Sequence, residues 1–317
     1  MLVAGVSHTA GLPLAQDLLG VVAEKSLTDA ERSELLLFLE YLMPTFSTDD
    51  LNYPDVEEFL TLLDVAESYS RSAPGKLEFP RRRLSKLRRI FLNRLSEYLW
   101  SGHKNLAKDH PLRLFGVALN PGDVIITFNY DIIAEYCISQ REGDLSWDYS
   151  PTREQICLLK PHGSIDWFYS DEVEADGKDF SELLTDLTQY SGWDFVPAIR
   201  GKMPVIVPPV ASKLIESRDL QQIWNWVTDT LVEADEIYIL GYSLPPADRL
   251  TRFVLRQCIL TRNKVPPPCI VNPSGHLRSR FQEWISSDVR FVQQRFERWA
   301  TVFHREEMLR RAEAEAS

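Results

Sequence analysis

The stretch Asp235–Asn272, DEIYILGYSLPPADRLTRFVLRQCILTRNKVPPPCIVN, decides the fold. DEIYILG is a short β-branched and aromatic run that stops on glycine, as a buried strand does. ADRLTRFVLRQCIL spaces its apolar residues three and four apart and predicts an amphipathic helix. PPCIVN is a second β-branched run, closed by asparagine. Strand, helix and strand in this order make the unit of a parallel sheet covered by helices.

The same alternation extends outward. Upstream lie the strand DVIITF (Asp123–Phe128) and the helix DIIAEYCIS. The strands ICLLK (Ile156–Lys160) and MPVIVPP (Met203–Pro209) and the helix IWNWVTDTLVEA follow. Downstream, a helix opens after Asn272-Pro-Ser, VRFVQQ offers a last strand, and a long polar helix ends the chain. Between Ser170 and Gly201 the sequence is acidic and irregular, with one helix expected near FSELLTDLTQY. At the start, a short apolar piece leads into a Gly/Ser/Thr loop and a helix from about Pro13, proline being well suited to a first helical position. The expected fold class is therefore α/β, with a doubly wound, mostly parallel, Rossmann-like sheet. Residues 27–114 read differently. ERSELLLFLEYLM, VEEFLTLLDVAESY and RRRLSKLRRIFLNRLSEYLW are all helical in period. They predict a helical insertion or cap, leaving residues 1–26 and 115–317 for the α/β domain.

Composition limits the function classes. The 317 residues are 44% hydrophobic and 26% charged, enough for a packed core, with a formal net charge of -11. Such an acidic chain repels nucleic-acid phosphates over most of its surface. The basic run Arg81–Arg89 is the one concentrated positive patch, read as a solvated face paired with carboxylates or as a docking patch. No apolar run approaches the roughly 18 to 20 residues that span a bilayer, and the opening MLVAGVSHTAGLPL has no basic region of the secretory kind. Cys137, Cys157, Cys258 and Cys269 have no zinc-ribbon spacing. They read as reduced core residues of a cytoplasmic protein.

In open α/β sheets the ligand sits beyond the carboxyl ends of the strands. The tips here are AGVS, NYD, PHGS, PP, GYSLPP and NPS, and they concentrate the chain's Gly, Asn, His and Ser. The first loop offers glycine and Ser7 to an anion but no Lys or Arg before Lys25, so amides would hold it, or the loop is a plain turn. Asn129 can face a ribose or position a water, and Asp131 can cap the next helix. His162, flanked by Gly163 and Ser164, is a candidate base because imidazole titrates near neutral pH. Gly241 permits close backbone approach, and Ser243 and Asn272 are candidates for ribose contacts or for turn and cap roles. His8 lies in the first loop and reads as ligand-facing or solvated. His103, His110, His276 and His304 have no metal-ligand spacing.

Taken in order, AGVSxxAGLP, TFNYD, PHGSIDW, VIVPPVASK, ADEIYILGYSLPPAD and IVNPS resemble the sirtuin-like domain of bacterial NAD-hydrolysing defence proteins, over most of the chain outside the helical block. The resemblance implies that Asn129 is a catalytic asparagine, Asp131 its acidic partner and His162 the catalytic histidine. It implies that Ala4, Gly5 and Ser7 belong to a glycine-rich dinucleotide loop, and that Gly163, Gly241, Ser243 and Asn272 line the cofactor. It implies NAD as substrate and an NAD glycohydrolase activity in antiphage defence, with a regulatory protein partner or a homo-oligomer expected. A weak NAD or ADP-ribose sensor and a protein ADP-ribosyltransferase or deacylase are the alternatives. Val3, Ala4 and Gly5 stand where that family has Gly-Ala-Gly, and only two residues precede them. The paired cysteines of the deacetylases' zinc module have no counterpart, so neither zinc nor deacylation is expected.

Overall fold

The computed structural model describes residues 1–2, 4–43, 45–47, 52–72, 78–102, 106–139, 147–168, 204–208, 218–246, 248–262 and 266–315. The helix expected near FSELLTDLTQY lies outside them. The described chain is α/β. Strands β1 (Val124–Ile126), β2 (Trp147–Asp148) and β3 (Ile156–Leu159) form a parallel sheet in the order β1-β3-β2. Strands β6 (Tyr238–Leu240), β7 (Cys269–Val271) and β8 (Arg290–Val292) form a second, in the order β6-β7-β8.

Two residues join them. Leu2 makes parallel bridges to Thr127 on one side and to Leu240 on the other. Its amide donates to the Ile126 carbonyl at 2.8 Å, its carbonyl accepts from Phe128 at 3.2 Å, and Leu240 donates to the Met1 carbonyl at 2.9 Å. The parallel order is then β2-β3-β1-Leu2-β6-β7-β8. The chain leaves Leu2 toward β1 on one side and later toward β6 on the other. That reversal is the topological switch point where open α/β sheets hold ligands.

Both faces are covered. One carries α2 (Ala15–Lys25), α6 (Pro111–Ala118), α7 (Ile133–Ser139) and α11 (Phe296–Glu315), whose apolar residues share a core with the helical block. The other packs α8 (Arg218–Glu233), α9 (Arg249–Thr261) and α10 (Leu277–Trp284) against Ile126, Ile239 and Ile270. Arg311 of α11 donates to the carbonyls of Val117, Ala118 and Leu119, satisfying the end of α6. The four cysteines are buried free thiols, as small core residues should be.

The helical pieces fold as α3 (Asp29–Leu42), α4 (Val56–Ser72) and α5 (Arg81–Trp100). Thr28 and Glu31 start α3 with a reciprocal capping box. Phe38, Phe59 and Phe91 meet edge to face in the middle of the block. On α5, Arg83 pairs with Glu34, buried Arg88 with Asp64 and Glu67, and Arg94 with Glu31 and Glu97.

Three local expectations are revised. The opening loop is helical, α1 (Ala4–Ser7) running into a 3-10 turn at His8–Ala10. The next helix begins at Ala15 rather than Pro13, after an extended Leu14. PHGSIDW is more than a tip. Gly163–Phe168 is strand β4, antiparallel to β5 (Pro204–Ile206), so PVI pairs outside the parallel array. No helix of the described residues is long and apolar enough to cross a membrane.

Candidate functional site

The switch point opens into a cleft of about 630 Å³, within the size range of small-molecule sites. It is lined by the tips of the central strands and by the first turn of α4. At its floor two glycines let the backbones close together. A Cβ on Gly5 would stand 2.7 Å from the Gly241 carbonyl oxygen, and Gly241 adopts φ +70°. These glycines are therefore required by contact between α1 and the β6 tip, besides facing the cleft.

Ser7 and Asn129 come from tips 122 residues apart and bond directly, the Asn129 Nδ2 donating to the Ser7 Oγ at 2.7 Å. The amide oxygen of Asn129 is thereby oriented. Asp131 lines the cleft and its Oδ1 accepts from the Ile133 amide at 3.0 Å, turning the chain into α7. The helix-start role and the cleft position thus coincide in one residue.

His162 lines the same cleft and is only 2% exposed. Its ring rests on Phe128 at 4.9 Å, and Phe128 stacks on Tyr242. Its Nδ1 is buried without a hydrogen-bond partner among the described residues. Burial lowers its pKa, while the Asp248 charge opposes the shift. The ring is therefore held as the neutral imidazole, and Asp248 favours the imidazolium that forms once a proton is taken. Asp248 is buried, accepts from the Tyr242 hydroxyl at 2.6 Å and caps α9 through Thr251. It sits in the quoted GYSLPPAD tip, but nothing in its spacing distinguishes a cap from a charge aimed at residue 162.

Other predicted residues divide. Gly5, Ser7, Gly241, Ser243 and Asn272 line the cleft. Asn272 is committed at both ends of its amide, donating to the Tyr242 carbonyl at 3.1 Å and accepting from Ser274 at 2.9 Å. His8 lines the cleft from an exposed position, with Nδ1 against the Leu12 carbonyl at 2.9 Å. Ala4 opens α1. Gly163 is not among the described lining residues. It takes φ +81°, and a Cβ there would lie 2.1 Å from the Val205 carbonyl oxygen, so its role in the structure is steric.

Beneath the tips lies a buried polar network that the sequence did not disclose. Lys160 is fully buried and donates to Glu135 at 2.7 Å, to the Asp131 carbonyl at 2.6 Å and to the Ser164 Oγ at 2.5 Å. Ser164 donates on to Asp166, and the Tyr149 hydroxyl reaches both Glu135 and Asp166. Burial pushes Glu135 up to about 7, against the pull of Lys160. The lysine ties the loop bearing Asn129 and Asp131 to the loop bearing His162. Among the described residues no cluster of three His, Cys, Asp or Glu is placed to hold a metal.

No family model matches the chain, and no curated protein matches it. Fifteen chains of solved structures do match. One comes from work described as "Structural Basis for the Mechanism and Regulation of Sir2 Enzymes", with a TM-score of 0.40 and 14% identity, over 77% of this chain and 88% of that chain. The cleft's own geometry, rather than this likeness, carries the chemistry.

Proposed function

We propose that the chain binds NAD across the switch point and hydrolyses its nicotinamide–ribose bond, releasing nicotinamide and ADP-ribose. The observation that carries this is the meeting of Asn129 and His162 in one cleft, the His162 imidazole having a buried nitrogen without a hydrogen-bond partner among the described residues. The motif resemblance to sirtuin-like NAD-hydrolysing proteins of bacterial defence agrees with it and suggests an antiphage role. Asp131, Asp248 and the neutral His162 suit a reaction in which the ribose gains positive charge, as in glycoside cleavage.

The bond from C1′ to the ring nitrogen breaks, and its electron pair neutralises the pyridinium. A water oxygen bonds to C1′. Asn129, fixed by Ser7, aims that water, and His162 takes its proton and passes it to solvent. Arg295 is the one Lys or Arg among the described lining residues. It marks the phosphate and adenosine end. Ser243 lines the ribose path.

The test is nicotinamide release by the pure chain. The native sequence should turn over, and His162→Ala should lose about 10² to 10⁴-fold, the range of general-base catalysis. Tight NAD binding with no release by the native chain would instead make it a sensor. Release that is unchanged in the variant would overturn the role given to His162.

A further inference from the structure

The helical block reaches the cleft at the first turn of α4, where Asp55 and Glu57 join the lining. The Asp55 Oδ1 is occupied, accepting from the Glu57 amide at 2.7 Å. The Glu57 carboxyl has no hydrogen-bond partner among the described residues. Two residues of the same lining carry a buried polar atom without a partner among the described residues, the Tyr130 hydroxyl and the His162 Nδ1. Both belong to residues more than nine-tenths buried. Orphaned buried groups of this kind are rare and ask for a partner that the protein itself does not supply.

Charge in the cleft is mostly of one sign: Asp55, Glu57, Asp131, Asp248 and Glu297 line it, with Arg295 the one Lys or Arg among the described lining residues. Burial first, then Asp55 and Asp248, push Glu57 up to about 8, and no cation of α2 or α5 contributes against them. The Tyr130 hydroxyl is raised too, by burial and then by Glu57, Asp55, Asp248 and Asp64. Such a wall attracts a cation and repels an anion.

Resting on the NAD reading, we propose that Glu57 is the helical block's contribution to the site, a carboxyl that faces the positively charged pyridinium ring and selects it over an uncharged one. A cation brought beside a protonated carboxyl favours its ionised form. Binding of NAD at pH 7 therefore expels a proton from Glu57 to solvent. At pH 9 the group is already ionised, and NADH, whose dihydropyridine ring is neutral, expels none.

The experiment is calorimetry on the full-length His162→Ala chain, which does not consume its ligand, in two buffers of different ionisation enthalpy. The expected result is release approaching one proton per NAD at pH 7 and almost none at pH 9 or with NADH. Adding E57Q abolishes the release and lowers the preference for NAD over NADH about tenfold. E57D, which keeps a carboxyl, retains both. Loss in E57D as well as E57Q indicates a structural role and overturns the proposal. Equal binding of NAD and NADH overturns it while leaving the NAD reading intact, and no binding of either overturns both.

Discussion

Lys160→Met removes the fastening between the two loops that carry Asn129 and His162. The lysine is fully buried with three hydrogen bonds, one of them to a carboxylate at 2.7 Å. Deleting one partner of a buried pair costs about 3–5 kcal/mol, because the other is left uncompensated. Here that partner is Glu135, whose Oε2 already has no hydrogen-bond partner among the described residues. Its pKa, about 7 with the lysine present, rises further without it. The sign follows from proton binding. Folded K160M holds a proton on Glu135 that the unfolded chain gives up above the ordinary carboxylate range, so stability is lost as pH rises. Urea unfolding should show a loss of about 3–5 kcal/mol at pH 8 and a clearly smaller one at pH 5. The double variant K160M/E135L, which removes both charges, should recover at least half of it. A loss under about 1 kcal/mol at pH 8, or one independent of pH, would refute the reasoning.

Gly163→Ala places a Cβ 2.1 Å from a backbone oxygen at φ +81°. It should cost about 2 kcal/mol or more in denaturant unfolding, strain and displacement together. Because burial lowers the His162 pKa, nicotinamide release should hold its plateau below the usual histidine pH and fall only in more acid solution. Asp248→Asn removes the charge that opposes this shift. The acid limb of the pH–rate profile should move further down and the plateau should drop. Ser7→Ala deletes the acceptor of the Asn129 amide and should lower kcat about tenfold with little change in KM, as expected for a positioning group.

The parallel sheet was legible because buried strands such as CIV and YIL leave a β-branched signature, and helices such as α9 keep their period. The tips were legible because strand ends collect turn residues. What escaped the sequence depends on pairing across distance. Met1–Leu2 is too short to read as a strand, yet both its edges are bonded within the sheet. GSIDWF looked like a loop because its glycine and proline neighbours punctuate it, and only β5 makes it a strand. Lys160 read as the last residue of a strand, where a lysine is normally solvated. Its partners at 131, 135 and 164 appear only after folding. Glu57 read as one more carboxylate on an amphipathic helix, and no spacing rule points its turn at a cleft built by other elements.

The most direct test is a crystal structure of the His162→Ala chain with NAD. The account predicts the dinucleotide along the switch point, its nicotinamide ribose beside Asn129 and its adenosine end beside Asn272 and Arg295. A dinucleotide bound in the reverse sense, or outside this cleft, would contradict it.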